Sequence, residues 1–173
     1  MDARTAENAS ENAAPSLKDR EKLLDAILRL APTHGWTDAG LQRAQAETGL
    51  SDGQVQLATP HGVSDLIDAL FARAAHTAVA RLTAGETAGL KVREKVRAGV
   101  KAYLAVLDPH KPAVKRALAS PASMLPGPKG VWGGADAIWS ALGDKSTDYN
   151  WYTKRGILSG VIGSTLACWA GTD

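Results

Sequence analysis

Apolar residues recur at intervals of three and four along almost the whole chain, and no stretch shows the β-branched alternation of a strand. That period gathers apolar side chains onto one face of a helix, and it commits the chain to an all-α fold. Proline and glycine set the lengths. Leu23, Leu24, Ile27, Leu28 and Leu30 form the buried side of a first helix, about 17–30, expected to stop before Pro32 and Gly35. Thr37 is placed to cap a second helix, about 38–48, closed by Gly49, and Ser51 to cap a very short third that Pro60 ends. A long helix over about 63–82 buries Val63, Leu66, Ile67, Leu70, Phe71, Ala74, Ala78 and Val79. The next, about 90–107, turns Val92, Val96, Val100, Tyr103, Leu104 and Leu107 inward and Arg93, Arg97 and Lys101 outward. A short helix near 113–119, an irregular proline-rich segment over 120–130, a helix near 131–142 and a last helix capped by Asp148 or Asn150 complete the pattern.

With 173 residues, the chain suits one domain with a real core. Residues 1–16 read as a disordered leader, 17–62 as a three-helix subdomain and 63–171 as a helical bundle continuous with it. Hydrophobic residues make up 45% and charged residues 22%, the balance of a soluble globular protein. A single cysteine, Cys168, excludes an internal disulfide framework and a cysteine-built zinc site. The N-terminal stretch has no apolar core and is acidic, so the expected location is cytoplasmic.

Enzyme signatures are missing. The residues three before His34, His61, His76 and His110 are Ala31, Ala58, Arg73 and Leu107, so no Glu-x-x-His di-iron motif occurs. No phosphate-binding glycine loop is present, and Cys168 has no histidine near it in sequence. The expectation is a non-enzymatic protein.

Charge is uneven. Residues 91–116 hold eight Lys or Arg against Glu94 and Asp108. Lys91, Arg93, Lys95, Arg97 and Lys101 read as a solvated helix face, with anionic lipid headgroups as the alternative contact. The run 156–172 has no charge, but its seventeen residues fall short of the roughly 20 a membrane span needs. It reads as a core or subunit-interface helix. Just before it, Asp148–Arg155 carries Tyr149, Trp151, Tyr152, Lys154 and Arg155, the composition of a recognition surface. Trp151 either anchors a partner or packs on Trp139, Lys154 and Arg155 are expected to be solvated, and Asp136 is placed to pair with one of them or with a cation of the partner.

Two resemblances refine this reading. Gly35-Trp36-Thr37, the turn Glu47-Thr-Gly-Leu-Ser51 and His61-Gly62-Val-Ser-Asp65-Leu66 resemble the start of a TetR-type regulator, with its helix-turn-helix. Yet the stretch 51–59 has no Lys or Arg, whereas phosphate neutralisation dominates DNA affinity, so nucleic acid is disfavoured and a TetR-type DNA-binding regulator is the alternative reading. The second resemblance rests on Asp136-Ala-Ile-Trp139 and Asn150-Trp-Tyr-Thr-Lys-Arg155, and extends over about 23–169. These strings are similar to the COQ9 family, the lipid-binding accessory proteins of ubiquinone biosynthesis.

The resemblance implies a single-domain TetR-like helical bundle that binds isoprenoid lipid, phospholipid or a quinone precursor, needs no cofactor, and presents the precursor to the di-iron demethoxyubiquinone hydroxylase. A protein-binding adaptor without lipid is a further possibility. Leu70, Phe71, Val100, Leu104, Met124 and Leu125 are the candidate lipid-lining residues. Asp136, Trp151, Tyr152 and Arg155 are the candidate partner contacts. The family also implies a later membrane-lying amphipathic helix, dimerisation through its last helices, and peripheral placement at the inner face of a bacterial membrane.

Overall fold

The computed structural model describes residues 3–84, 87, 89–124 and 126–172, excluding the side chains of 3–15 and of Pro126. Among the described residues there is no strand. The elements are α1 (Ala3–His34), α2 (Asp38–Thr48), α3 (Asp52–Ala58), α4 (Val63–Thr83), α5 (Val92–Leu107), α6 (Lys111–Leu118), α7 (Pro126–Ala141) and α8 (Tyr149–Gly171), with 3-10 turns at Asp108–His110 and Pro121–Ser123.

Local chemistry explains most boundaries. Thr37 Oγ1 accepts from the Gly40 amide at 3.1 Å and starts α2, and Gly49, at φ 68°, ends it in a conformation that costs other residues more. Ser51 and Gln54 form a reciprocal capping box on α3, and Asp148 caps α8 by accepting from the Asn150 amide at 3.0 Å. Two boundaries differ from expectation. α1 begins at Ala3 and runs through Pro32 to His34. Five alanines before Pro15 favour helix locally, and Pro32 falls within the final turn, where Gly35 at φ 71° stops the helix. α7 starts at Pro126, inside the segment expected to be irregular, because proline's fixed φ suits the first turn of a helix.

α4 is the central element, with α5 and α7 packed along it and α1 at its N-terminal half. Glycine brings α7 close. A Cβ on Gly130 would lie 2.5 Å from Phe71 Cβ, and one on Gly134 would lie 2.8 Å from the Tyr103 ring. The α1–α3 unit joins the rest through Trp36, whose buried indole N–H donates to the Ala113 carbonyl of α6 at 2.8 Å. One continuous core runs from Leu23 through Phe71 and Tyr103 to Leu166, so the chain is a single all-α domain.

The residues that α8 buries against the bundle are Arg155, Leu158, Ile162 and Leu166. Its opposite side exposes Gly156, Ile157, Gly160, Val161 and Ala167. Among the described residues no helix is long and apolar enough to cross a membrane.

Candidate functional site

The stripe by which α8 packs begins with a cation. Arg155 takes the first position of the series continued by Leu158, Ile162 and Leu166, so its guanidinium enters the bundle rather than the solvent. Its side chain is only 2% exposed, which corrects the expectation of a solvated cation and a direct partner contact. Burying such a charge demands partners. Arg155 Nε donates to Asp136 Oδ1 on α7 at 2.5 Å, and Nη1 donates to Asp144 Oδ2 at 3.0 Å and to the Trp151 carbonyl at 3.3 Å. The expected pairing of Asp136 with a cation of this segment is therefore present.

Asp144 was not singled out in the sequence, yet it is the hub of the network. Its side chain, 6% exposed, also accepts from Lys154 Nζ at 2.7 Å and from Ser146 Oγ at 2.8 Å. The Lys154 and Ser146 hydrogen bonds, then Arg155, hold its carboxyl well below the usual carboxylate range, against the opposing effect of burial. Lys154 also lies 5.5 Å from the centre of the Trp139 ring, and the Trp139 indole donates to the Lys154 carbonyl at 3.1 Å. Two carboxylates and two cations thus lock the start of α8 onto α7 and the loop between them.

On top of this network sits an aromatic patch. Trp151 stacks over the Arg155 guanidinium at 4.1 Å, with Trp132 of α7 at 6.1 Å and Tyr152 edge-on at 4.7 Å. Its neighbour is Trp132, not the Trp139 anticipated from spacing; Trp139 is engaged beneath Lys154 instead. Trp151 is half-buried, whereas Tyr152 and Tyr149 are exposed. The result is a rigid, partly apolar surface with hydrogen-bonding tips, the composition that dominates binding energy at protein interfaces.

Comparison with known proteins falls on this same region. The family model described as COQ9 matches residues 125–173, and relatives align along most of the chain. The chain is similar to the COQ9 family. It is 28% identical over 155 residues to "Ubiquinone biosynthesis protein COQ9, mitochondrial" of Bos taurus, covering 84% of this chain and 49% of that protein. The human protein of the same name is 27% identical over 157 residues, covering 84% of this chain and 49% of that protein. "Probable ubiquinone biosynthesis protein coq9, mitochondrial" of Dictyostelium discoideum is 26% identical over 146 residues, covering 79% and 48%. The chain spans about half the length of the curated relatives it matches. Asp136, Trp151, Tyr152 and Arg155 all lie in the segment that the COQ9 family model covers.

The six candidate lipid-lining residues divide. Met124 is 75% exposed and lines an apolar groove of about 800 Å³ with Leu118, Pro121, Val131, Leu166 and Ala170. Phe71 lines a smaller groove of about 470 Å³ that also holds Arg20, Asp68, His76 and Lys129. Leu70 and Val100 are buried in the core and Leu104 packs against it, and none of the three lines either groove. Helical periodicity marks a buried face without distinguishing core from cavity wall. Leu125 lies outside the described residues.

α2 and α3 meet through the three-residue turn 49–51 as expected of a helix-turn-helix. The exposed side of α3 carries Asp52 and no cation. Gln54 is occupied internally: its Nε2 donates to Asp19 Oδ2 at 3.1 Å and its Oε1 accepts from the Ser51 amide at 3.1 Å. Gln56 of α3 and Arg43 of α2 remain exposed, but α3 itself offers no cation to neutralise a phosphate.

Proposed function

We propose that this chain is a non-enzymatic, TetR-like accessory protein of ubiquinone biosynthesis that holds an isoprenoid quinone precursor and presents it to the di-iron demethoxyubiquinone hydroxylase. One observation carries the reading: the partly exposed Trp132–Trp151–Tyr152 patch rests on a four-charge network centred on the buried Arg155 and Asp144, within the segment matched to the COQ9 family. A fixed aromatic surface loses little side-chain entropy on binding. The ubiquinone assignment is supported by the names of the relatives, whose sequences align over most of this chain. In this reading Trp151 and Tyr152 touch the hydroxylase, while Arg155 and Asp136 position them from below.

The lipid is assigned to the groove beside Met124. At about 800 Å³ it has the size of a small-molecule site, and Leu118, Val131, Leu166 and Ala170 give it apolar walls. An isoprenoid tail fits that chemistry, and the protein would take it up at the membrane surface.

Pull-down of the hydroxylase by Tyr152→Ala and Trp151→Ala variants tests the partner surface. Each is expected to weaken binding by about 2 kcal/mol, roughly thirtyfold. Tyr152, largely exposed, is expected to leave far-UV circular dichroism unchanged. Undiminished capture by Tyr152→Ala and by a folded Trp151→Ala protein would remove the surface from the proposal. Mass spectrometry of lipid extracted from the purified protein tests the groove. Isoprenoid lipid is expected, and its amount should fall when Val131→Asp places a charge in the groove wall.

A further inference from the structure

The basic side of α5 plays no part in the site above. We propose that this side is a docking surface for an anionic phospholipid bilayer, independent of the groove and of the aromatic patch.

Arg93, Arg97 and Lys101 are exposed at successive i, i+4 positions, so they form one row about 12 Å long. Lys91 and Lys95 flank it, and Glu94 is the only acid between residues 90 and 107. Glu94 is spent on the helix itself, accepting from the Lys91 amide at 2.9 Å. Among the described residues Arg93, Lys95, Arg97 and Lys101 have no acidic partner, although acids elsewhere on this protein are paired. An unneutralised row of this length seeks an extended negative surface.

The leading end of the row determines which surface. Leu90 and Val92 are exposed, Val92 at 58%, immediately beside Lys91 and Arg93. Two aliphatic side chains next to a line of cations suit the boundary between headgroup and acyl chain, where apolar insertion adds to attraction for anionic lipid. Nucleic acid would have less to hold: the exposed positions of α5 include no aromatic to stack on a base and no amide to read one.

Vesicle flotation with the full chain tests this. Vesicles of three parts phosphatidylcholine to one part phosphatidylglycerol are expected to bind the protein, and pure phosphatidylcholine vesicles to bind far less, with the difference falling as salt rises. Neutralising Arg93, Arg97 and Lys101 to Gln should weaken partitioning about fivefold per position, roughly a hundredfold together. Replacing both arginines with lysine should preserve binding, because a bilayer charge imposes no guanidinium geometry. Leu90→Ser with Val92→Ser should lower partitioning at high salt, where the apolar contribution remains. Lipid co-purifying in the groove should be the same in all these variants, which separates this proposal from the one above. Equal binding to neutral and anionic vesicles, indifference to the triple substitution in a folded protein, or retention of duplex RNA in place of vesicles overturns it.

Discussion

Arg155 shows how a single residue sets a surface from beneath. Its guanidinium is buried between Asp136 and Asp144 and lies under the Trp151 ring, so truncation removes three supports together. Arg155→Ala is expected to lower stability by about 2–4 kcal/mol in denaturant titration, because it empties a buried volume under the Trp151 ring and removes both carboxylate pairs. Arg155→Met should cost less: it fills similar volume, Asp136 is half-exposed, and Asp144 retains Lys154. Equal losses in the two variants would show that the charge and its hydrogen bonds, not the volume filled, govern the position. A pH dependence accompanies the network. The folded pKa of Asp144 is depressed, so its contribution is fully present above the ordinary carboxylate range and is lost as pH falls through that range toward the folded value. Thermal melts across the acid limb should therefore be flatter for Asp144→Asn than for the parent. The pairing of Asp136 with a neighbouring cation was legible in the sequence. The burial of Arg155 had a signal too, since Leu158, Ile162 and Leu166 follow it at +3, +7 and +11, but a charge in that register reads first as solvated. Asp144 had no such signal: it lies in a loop, where no period relates it to the partners that fold around it.

At the level of elements, periodicity and capping located every helix from α2 to α6 to within a few residues, because Thr37, Gly49, Ser51 and Pro60 act locally. α1 and α7 were the exceptions, and α7 shows why. Pro126, Gly127, Pro128 and Gly130 are breakers by propensity, and packing on α4 overrides them. Its glycines have separable roles. Gly130 and Gly134 admit the Phe71 and Tyr103 rings, whereas a Cβ on Gly133 would meet nothing within 4 Å. Gly130→Ala should destabilise by about 1–3 kcal/mol through overpacking against a fixed core ring. Gly133→Ala should instead stabilise by up to about 1 kcal/mol through helix propensity. Chemical denaturation of the pair distinguishes these signs, and a destabilising Gly133→Ala would mean that α7 carries a contact on its outer side. Spacing alone could not separate these glycines, since which one faces an aromatic ring depends on how α7 is rotated against α4.

At the scale of the whole molecule, the α1–α3 unit and the α4–α8 bundle were read from sequence as one continuous domain, and what joins them is a set of contacts distant in the chain. Trp36 bridges to Ala113 on α6, and Arg73 of α4 pairs with Glu21 and Asp25 of α1. Leu23, Leu24 and Ile27 belong to the same core as Phe71, Val114 and Ile162. With the apolar interior shared, neither part retains a complete core when the other opens, and unfolding should be a single cooperative transition. Trp36→Phe examines this at the bridge. It removes one buried hydrogen bond and part of the indole volume, a loss of about 1–3 kcal/mol. For a domain of this size that lowers the melting temperature by about 2–4 °C per kcal/mol. Far-UV circular dichroism and tryptophan fluorescence should shift together, since the four remaining tryptophans, Trp132, Trp139, Trp151 and Trp169, all report on the α7–α8 side while ellipticity reports on every helix. Two separated transitions in the variant would show that the α1–α3 unit stands on its own core, and that Trp36 fastens together two parts able to fold independently.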